Sequence, residues 1–227
     1  MKDRAIFETQ DGSHSIFSDT FGVSYHSKYG AIQESMHVFI HAGLLHALER
    51  KNEIAVLDIG FGTGLNALLT YAETVKRDFK AHYEAIEAYP ISAEEVDQLN
   101  YPQLLDETLV DVFNQLHQLD WGVKHVFSPG FSFQKNQILF QEIQYDQDFD
   151  VIYFDAFAPN AQPELWEADV LGRMYDALKP EGVLVTYCAK GAVKRVLKGL
   201  GFKVEALQGP PGKREMTRAV KKVISDS

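Results

Sequence analysis

The chain has 227 residues, enough for one large domain that buries its own core, and 45% hydrophobic with 12% aromatic residues against 24% charged is too apolar for a disordered segment. No apolar run approaches the roughly 18 residues that span a bilayer. Met1-Lys2-Asp3-Arg4-Ala5 leads into polar residues rather than a signal-peptide stretch, and the one cysteine, Cys188, excludes an internal disulfide or a multi-cysteine zinc site, so a cytoplasmic protein is expected. The net charge of −10 is uneven: residues 190–222 hold ten Lys and Arg against two Glu, a local +8, which leaves −18 on the rest of the chain.

No repeat or linker divides the sequence, so a single domain over 1–227 is expected, with residues 1–50 as a small β appendage and a lead-in helix. In the appendage, Asp11-Gly12 between Phe7-Glu8-Thr9 and Ile16-Phe17 is a hairpin signal. Apolar residues at helical spacing from Ser35 to Glu49 predict an amphipathic helix ahead of the first strand, Ile54-Ala55-Val56-Leu57-Asp58. Strand and helix signals then alternate. A glycine turn opens a helix over about 64–77, a second strand ends at Glu87, and helices are expected at about 92–99 and 102–118. With the aromatic stretch Trp121 to Phe133 these form a predicted helical and aromatic insertion over about 90–136. Further strands are predicted at 138–143, 151–154, 182–187, 202–207 and 217–220, with helices at about 164–178 and 190–199. Alternating βα units with continuous apolar strands predict an α/β fold with a mostly parallel sheet covered on both faces. The Gln208–Arg214 loop is too short for a parallel crossover, so the last strand must run antiparallel. That is the Rossmann-like shape of the class I methyltransferases.

The strongest motif is Val56-Leu57-Asp58-Ile59-Gly60-Phe61-Gly62-Thr63-Gly64-Leu65-Asn66. Glycines at 60, 62 and 64 between a strand and a helix permit a tight turn and close approach of a ligand to the backbone. Asp58 beside them would repel a pyrophosphate but suits the cationic amino group of S-adenosyl-L-methionine, so Asp58, Gly60, Phe61, Gly62, Gly64 and Asn66 are candidate cofactor contacts. Glu87, at the tip of the second strand, is placed to accept both ribose hydroxyls and is preferred there to Glu84. Glu142, at the end of the predicted third strand, is a candidate for the adenine amino group.

In the fourth strand, Asp155 emerges from Val151-Ile152-Tyr153-Phe154 into Ala156-Phe157-Ala158-Pro159, at the crevice where an open α/β sheet binds its ligands. Methyl transfer to nitrogen needs an unprotonated lone pair, and an amine resembling lysine's is mostly protonated near neutrality. A carboxylate there can orient the amine and accept its proton or simply position it while water takes the proton, which makes Asp155 the candidate catalytic residue and a further cofactor neighbour. Phe157, Pro159 and Trp166 are candidates to wall the acceptor pocket or stack a base. His37 and His41 lie one helical turn apart, but no histidine has persuasive ligand spacing to a second group, and no metal site is expected.

Three blocks together, Gly60-Phe61-Gly62-Thr63-Gly64-Leu65-Asn66, Phe154-Asp155-Ala156-Phe157-Ala158-Pro159 with Pro163-Glu164-Leu165-Trp166, and Gly212-Lys213-Arg214-Glu215-Met216, resemble the MnmD family, which also forms the methyltransferase half of the bifunctional tRNA-modifying enzyme MnmC. The resemblance runs from about Thr9 to Val220 and places Tyr25-His26-Ser27, Gly30-Ala31 and Glu34-Ser35 near the cofactor. It implies methylation of the exocyclic amine of 5-aminomethyl-2-thiouridine at the tRNA wobble position, giving the 5-methylaminomethyl product. By position it makes Asp58, Glu87 and Glu142 cofactor contacts and Asp155 catalytic. Where relatives carry Gly-Asp at the third strand's end, this chain has Gln141-Glu142. Nothing in the chain is long enough for the flavin-dependent oxidase domain of the bifunctional enzyme, so the stand-alone form is expected.

The charge asymmetry fits a tRNA partner, with the anticodon region as the part engaged. Lys194, Arg195, Lys213 and Arg214 are the candidate contacts to its phosphates. The competing readings are a methyltransferase for a small amine or a protein, an aminopropyltransferase-like enzyme using decarboxylated S-adenosylmethionine, and a non-catalytic cofactor- or tRNA-binding module. The sequence says nothing of oligomeric state.

Overall fold

A computed structural model of the chain describes residues 4–222. The N-terminal strands β1 (Arg4–Glu8), β2 (His14–Ser18) and β3 (Val23–Ser24) form an antiparallel sheet, and β1 and β2 turn at Asp11-Gly12 as expected. Gly12 takes the positive φ of 82° that the turn demands. The Asp11 carboxylate accepts hydrogen bonds from the Ser13 amide at 3.0 Å, the Thr9 hydroxyl at 2.8 Å and the Gln33 amide at 3.0 Å. One turn residue thereby ties the appendage to the first turn of the next helix.

That helix, α1, is continuous over 31–48, with a wide π-helical stretch at Met36–Leu45. It starts four residues before the predicted Ser35, because its apolar periodicity begins later than its hydrogen bonding. Val38, Phe39, Ile40 and Leu44 are buried, and Gly43 lets the helix backbone sit directly on the sheet. A Cβ at Gly43 would lie 2.9 Å from Val185 Cγ2 and 3.3 Å from Val151 Cγ1.

The main sheet contains β4 (Glu53–Ile59), β5 (Lys80–Ile86), β6 (His125–Ser128), β7 (Phe131–Asn136), β8 (Phe149–Phe154), β9 (Leu178–Thr186), β10 (Phe202–Gln208) and β11 (Glu215–Lys221). Its order is β10-β11-β9-β8-β4-β5-β7-β6. The central strands are parallel, and β11 runs antiparallel between β9 and β10, as the short Gln208–Arg214 loop requires. Side chains alternate between two cores. Val56, Tyr83, Val151, Tyr153 and Val185 face α1 and α2 (Leu65–Arg77). Leu57, Ile152, Phe154 and Leu184 face α6 (Ala168–Ala177) and α7 (Gly191–Gly199).

Four expectations differ from the structure. The third parallel strand is Phe131–Asn136, not 138–143. Phe131 and Phe133 are buried and pack with Tyr83, nearly parallel ring to ring, so the aromatic stretch is the period-2 pattern of a buried strand. Residues 138–143 instead hold a short 3₁₀ turn, Phe140–Glu142, in which Phe140 is buried and the Glu142 carboxylate accepts the Leu139 amide at 3.1 Å. The predicted 90–136 insertion therefore supplies the edge of the main sheet, and its non-sheet part ends before His125. Its helices are α3 (Ala93–Val96), α4 (Tyr101–Leu105) and α5 (Val110–Gln118), and the expected 102–118 helix is broken at Asp106, whose backbone is extended and whose carboxylate caps the following turn at the Thr108 amide. The 164–178 helix likewise begins late, after a 3₁₀ turn at Pro163–Trp166. Buried Lys135 on β7 fastens the helical part of this segment to the sheet, its ammonium 4.7 Å from the Trp121 ring centre and bonded to the His117 carbonyl.

Gly43→Leu should lower stability by about 1–3 kcal/mol, since the added side chain must displace Val151, Tyr153 and Val185. Thermal unfolding compared with Gly43→Ala, which adds a single methyl, checks this, and a smaller loss in Gly43→Ala is expected.

Candidate active site

The strands β4, β5 and β8 end at one edge, and an open cleft of about 890 Å³ lies beyond their carboxyl ends. The glycine turn forms its floor. The Gly60 and Phe61 amides both donate to the Ile86 carbonyl, at 3.0 and 3.1 Å, and the Asp155 amide donates to the Ile59 carbonyl at 3.0 Å, so three strand ends are pinned to one another. Gly60 and Gly62 have φ of 98° and 50°. A Cβ on Gly60 would sit 3.1 Å from the Asp155 carbonyl oxygen, which is why that position needs a glycine.

Glu87 lies at the cleft wall with each oxygen held by one backbone amide: Oε2 takes Gly62 at 2.9 Å and Oε1 takes Tyr89 at 2.8 Å. A carboxylate offers about four acceptor sites, so both oxygens keep capacity for a pair of hydroxyls. The alternative, Glu84, is consumed by Asn136 and the Tyr145 hydroxyl. Asp58 is wholly buried under the turn rather than exposed in the cleft. Its Oδ2 accepts the Tyr83 hydroxyl at 2.6 Å, while Oδ1 has no partner. Burial above all, with the charges of Asp155 and Glu87 adding, pushes Asp58 well above the usual carboxylate range.

Asp155 is half-buried at the end of β8, and Asn66 Nδ2 from the first turn of α2 donates to its Oδ2 at 3.0 Å. Desolvation, followed by the charge of Glu34, pushes Asp155 up to about 7, against the pull of the Asn66 bond and of Lys213. Asn66 therefore holds the carboxylate, and its own buried Oδ1 lacks a donor. The unpartnered Asn66 Oδ1, in a crevice edged by Glu87 and Asp155, fits a ligand that brings cationic N–H donors and a ribose, as S-adenosyl-L-methionine does, whereas Asp58, closed off beneath the turn, does not reach the cleft and is not the cofactor contact expected of it.

The far wall comes from the appendage, whose part in the site only the MnmD resemblance had indicated. Phe21, Tyr25 and His26 line the cleft, and Phe157 packs edge-on to Tyr25 at 5.0 Å and against Phe21 at 4.9 Å. Burial drops His26 to about 4, so it stays neutral beside a cationic ligand. Trp166 is buried behind this wall, and its Nε1 donates to the Phe157 carbonyl at 2.8 Å, so it fixes the loop rather than facing the acceptor. Pro159 lies in that loop outside the cleft lining. Glu142 is exposed and turned back on its own turn, and Gln141 lines the cleft in its place.

Of the four basic candidates, Lys194 pairs with Glu215 at 2.8 Å and Lys213 pairs with the buried Glu34. Arg195 and Arg214 are exposed. The pairing of Lys213 is the largest departure from the sequence reading, because it turns a presumed phosphate contact into part of the crevice. Among the described residues no group of three or more His, Cys, Asp or Glu is arranged to hold a metal, and no helix is long and apolar enough to cross a membrane. Glu87→Gln should weaken S-adenosyl-L-methionine binding at least tenfold with little change in unfolding temperature, because an amide replaces one acceptor oxygen by a donor facing the ribose; calorimetric titration checks it.

A family model described as S-adenosyl-L-methionine-dependent methyltransferase matches residues 142–222. The bifunctional protein MnmC of tRNA 5-methylaminomethyl-2-thiouridine biosynthesis is similar over most of this chain: 30% identical over 88% of it in Leptospira borgpetersenii and 32% over 90% in Delftia acidovorans. The chain spans about a third of the length of these relatives, 32% and 33%. The crystal structure of MNMC2 from Aquifex aeolicus superposes with a TM-score of 0.78 at 26% identity, covering 96% of this chain and 70% of that one. The glycine turn, the acids at neighbouring strand tips and the antiparallel final strand agree with these similarities: the chain is similar to the S-adenosyl-L-methionine-dependent methyltransferases over residues 142–222 and to MNMC2 of Aquifex aeolicus over nearly its whole length.

Proposed function

We propose that this protein methylates the exocyclic amine of a 5-aminomethyl-2-thiouridine at the wobble position of tRNA, giving 5-methylaminomethyl-2-thiouridine. The observation that carries the reading is Asp155, a carboxylate tuned to about 7 and held by Asn66 beside the glycine turn, facing an aromatic-walled cleft. The printed names of the MnmC relatives supply the substrate class.

Bound S-adenosyl-L-methionine supplies an electrophilic methyl group. The protein's own residues do the rest. Glu87 would accept the ribose hydroxyls and the free Oδ1 of Asn66 the ligand's cationic amino group, while Asp58 supports the turn from beneath. The acceptor arrives as an ammonium, and Asp155 forms a charge-assisted hydrogen bond to it that both orients the nitrogen and draws off one proton. Phe21, Tyr25 and Phe157 exclude water and offer ring faces and edges to the uracil. Gln141, which lines the cleft where Glu142 does not, would take the adenine contact. The exposed cations Arg195, Lys198 and Arg214 hold backbone phosphates near the anticodon.

Incubating the protein with labelled S-adenosyl-L-methionine and tRNA that carries the aminomethyl group, then analysing the digested nucleosides, tests the reading. Label in 5-methylaminomethyl-2-thiouridine is expected, and label absent from the nucleosides while the cofactor binds sends the search to small amines or proteins. Asp155→Asn should lower turnover by about 10²–10⁴-fold while cofactor binding persists. Wild-type turnover should fall below about pH 7, as Asp155 takes up a proton. Because the folded protein holds Asp155 at about 7 against an ordinary 3.8, the stability its neutral form contributes is lost as pH rises between those values and is gone by pH 8, where Asp155→Asn should therefore raise the unfolding temperature.

A further inference from the structure

The loop between β10 and β11 is folded back on the N-terminal segment. The Gly209 amide donates to the Arg214 carbonyl at 3.1 Å and the Lys213 amide to the Pro210 carbonyl at 2.9 Å. Gly212, at φ 81°, lies so close to Tyr29 that a Cβ there would reach within 2.0 Å of the ring. This turn aims Lys213 inward. Its ammonium sits 4.0 Å from the centre of the Tyr187 ring and bonds to Glu34 Oε1. The other oxygen of Glu34 takes the Ser27 amide at 2.8 Å, and Glu34 itself is 6% exposed. Tyr187 in turn donates to the Ala156 carbonyl at 2.8 Å, one residue beyond Asp155.

Glu34 is buried while the Lys213 side chain is 32% exposed, and such a half-buried ion pair adds little net stability, because desolvation and screening offset its attraction, so folding alone gives weak reason for this one. We infer that Glu34 and Lys213 are positioning residues of the acceptor site: Lys213 neutralises Glu34, so that Asp155 is the carboxylate left free to bind the incoming ammonium and take its proton. The inference rests on the function proposed above. Asp155 senses Glu34 from α1 and Lys213 from the β10–β11 loop, and it is held by Asn66 from α2. Asp58 on β4, beneath it, and the phenols of Tyr187 after β9, Tyr83 on β5 and Tyr101 on α4 lie within the same field. His26 from the appendage is neutral and adds no charge. The Glu34–Lys213 pair is therefore the element whose two members push Asp155 in opposite directions. In the transfer, one N–H bond of the ammonium breaks as Asp155 gains the proton, and the freed lone pair forms the N–C bond while the S–C bond to the methyl breaks.

The test is the pH dependence of turnover on aminomethyl tRNA for four variants. Lys213→Met should move the acid limb up by about one pH unit, because Glu34 is left uncompensated, and Glu34→Gln should move it down by about the same amount. The double variant should return close to the wild-type limb, and Lys213→Arg should restore it. Cofactor affinity should change less than about threefold throughout. Equal loss of turnover at every pH in both single variants, with the limb unmoved, overturns the inference. The ¹³C resonance of the Asp155 carboxyl, titrated on the whole protein without tRNA, should report the same shifts. An unmoved carboxyl titration overturns the inference whatever the activity, whereas shifted titration with no methylation of tRNA overturns the substrate reading alone.

Discussion

The site depends on crowding acids where water is scarce. Asp58, Glu87, Asp155 and Glu34 come from four different elements and converge on one turn, two of them with their carboxyls pushed upward by burial. Like charges in a low-dielectric crevice cannot all ionise without compensation, so each acid here is either hydrogen-bonded, paired or held back. Tyr83 and Asn66 serve Asp58 and Asp155, backbone amides serve Glu87, and Lys213 serves Glu34. What is left over is an electrostatic hole shaped for a cation, the sign carried by a sulfonium, its amino group and an ammonium acceptor.

The scaffold produces this by ending parallel strands together. Ile59, Ile86 and Asp155 are joined by main-chain hydrogen bonds across the tips of β4, β5 and β8, which leaves the glycine turn little freedom. Rigidity there matters because a displacement of about 1 Å between acceptor and methyl costs much of the rate advantage of orientation. The appendage contributes in the same sense. Asp11 ties its turn to α1, and the chain then runs past the cleft, setting Tyr25 against Phe157 and Glu34 beneath Lys213.

Charge along the chain has a different meaning once folded. The +8 of residues 190–222 is partly spent inside the protein. Lys194 pairs with Glu215, Lys203 and Arg218 with Glu205, and Lys221 with the carbonyls of Tyr175 and Leu178. Exposed Lys190, Arg195, Lys198, Arg214 and Lys222 carry what remains, so the basic surface is narrower than composition suggests.

Local chemistry was legible in the linear order. A glycine-rich turn between an apolar strand and a helix, carboxylates at strand tips and a loop too short for a crossover depend on neighbours within a few residues, and they sufficed for the α/β class, the antiparallel last strand and the position of Glu87 and Asp155 at the cleft. The third strand was missed because Phe131-Ser132-Phe133 reads equally as an aromatic loop until Tyr83 supplies a surface to stack on. Which oxygens are left without donors, that Trp166 points away from the cleft, and that Lys213 meets Glu34 across 179 residues were decided by tertiary structure alone. Desolvation and long-range pairing belong to the enclosed volume, and no spacing along the chain encodes them.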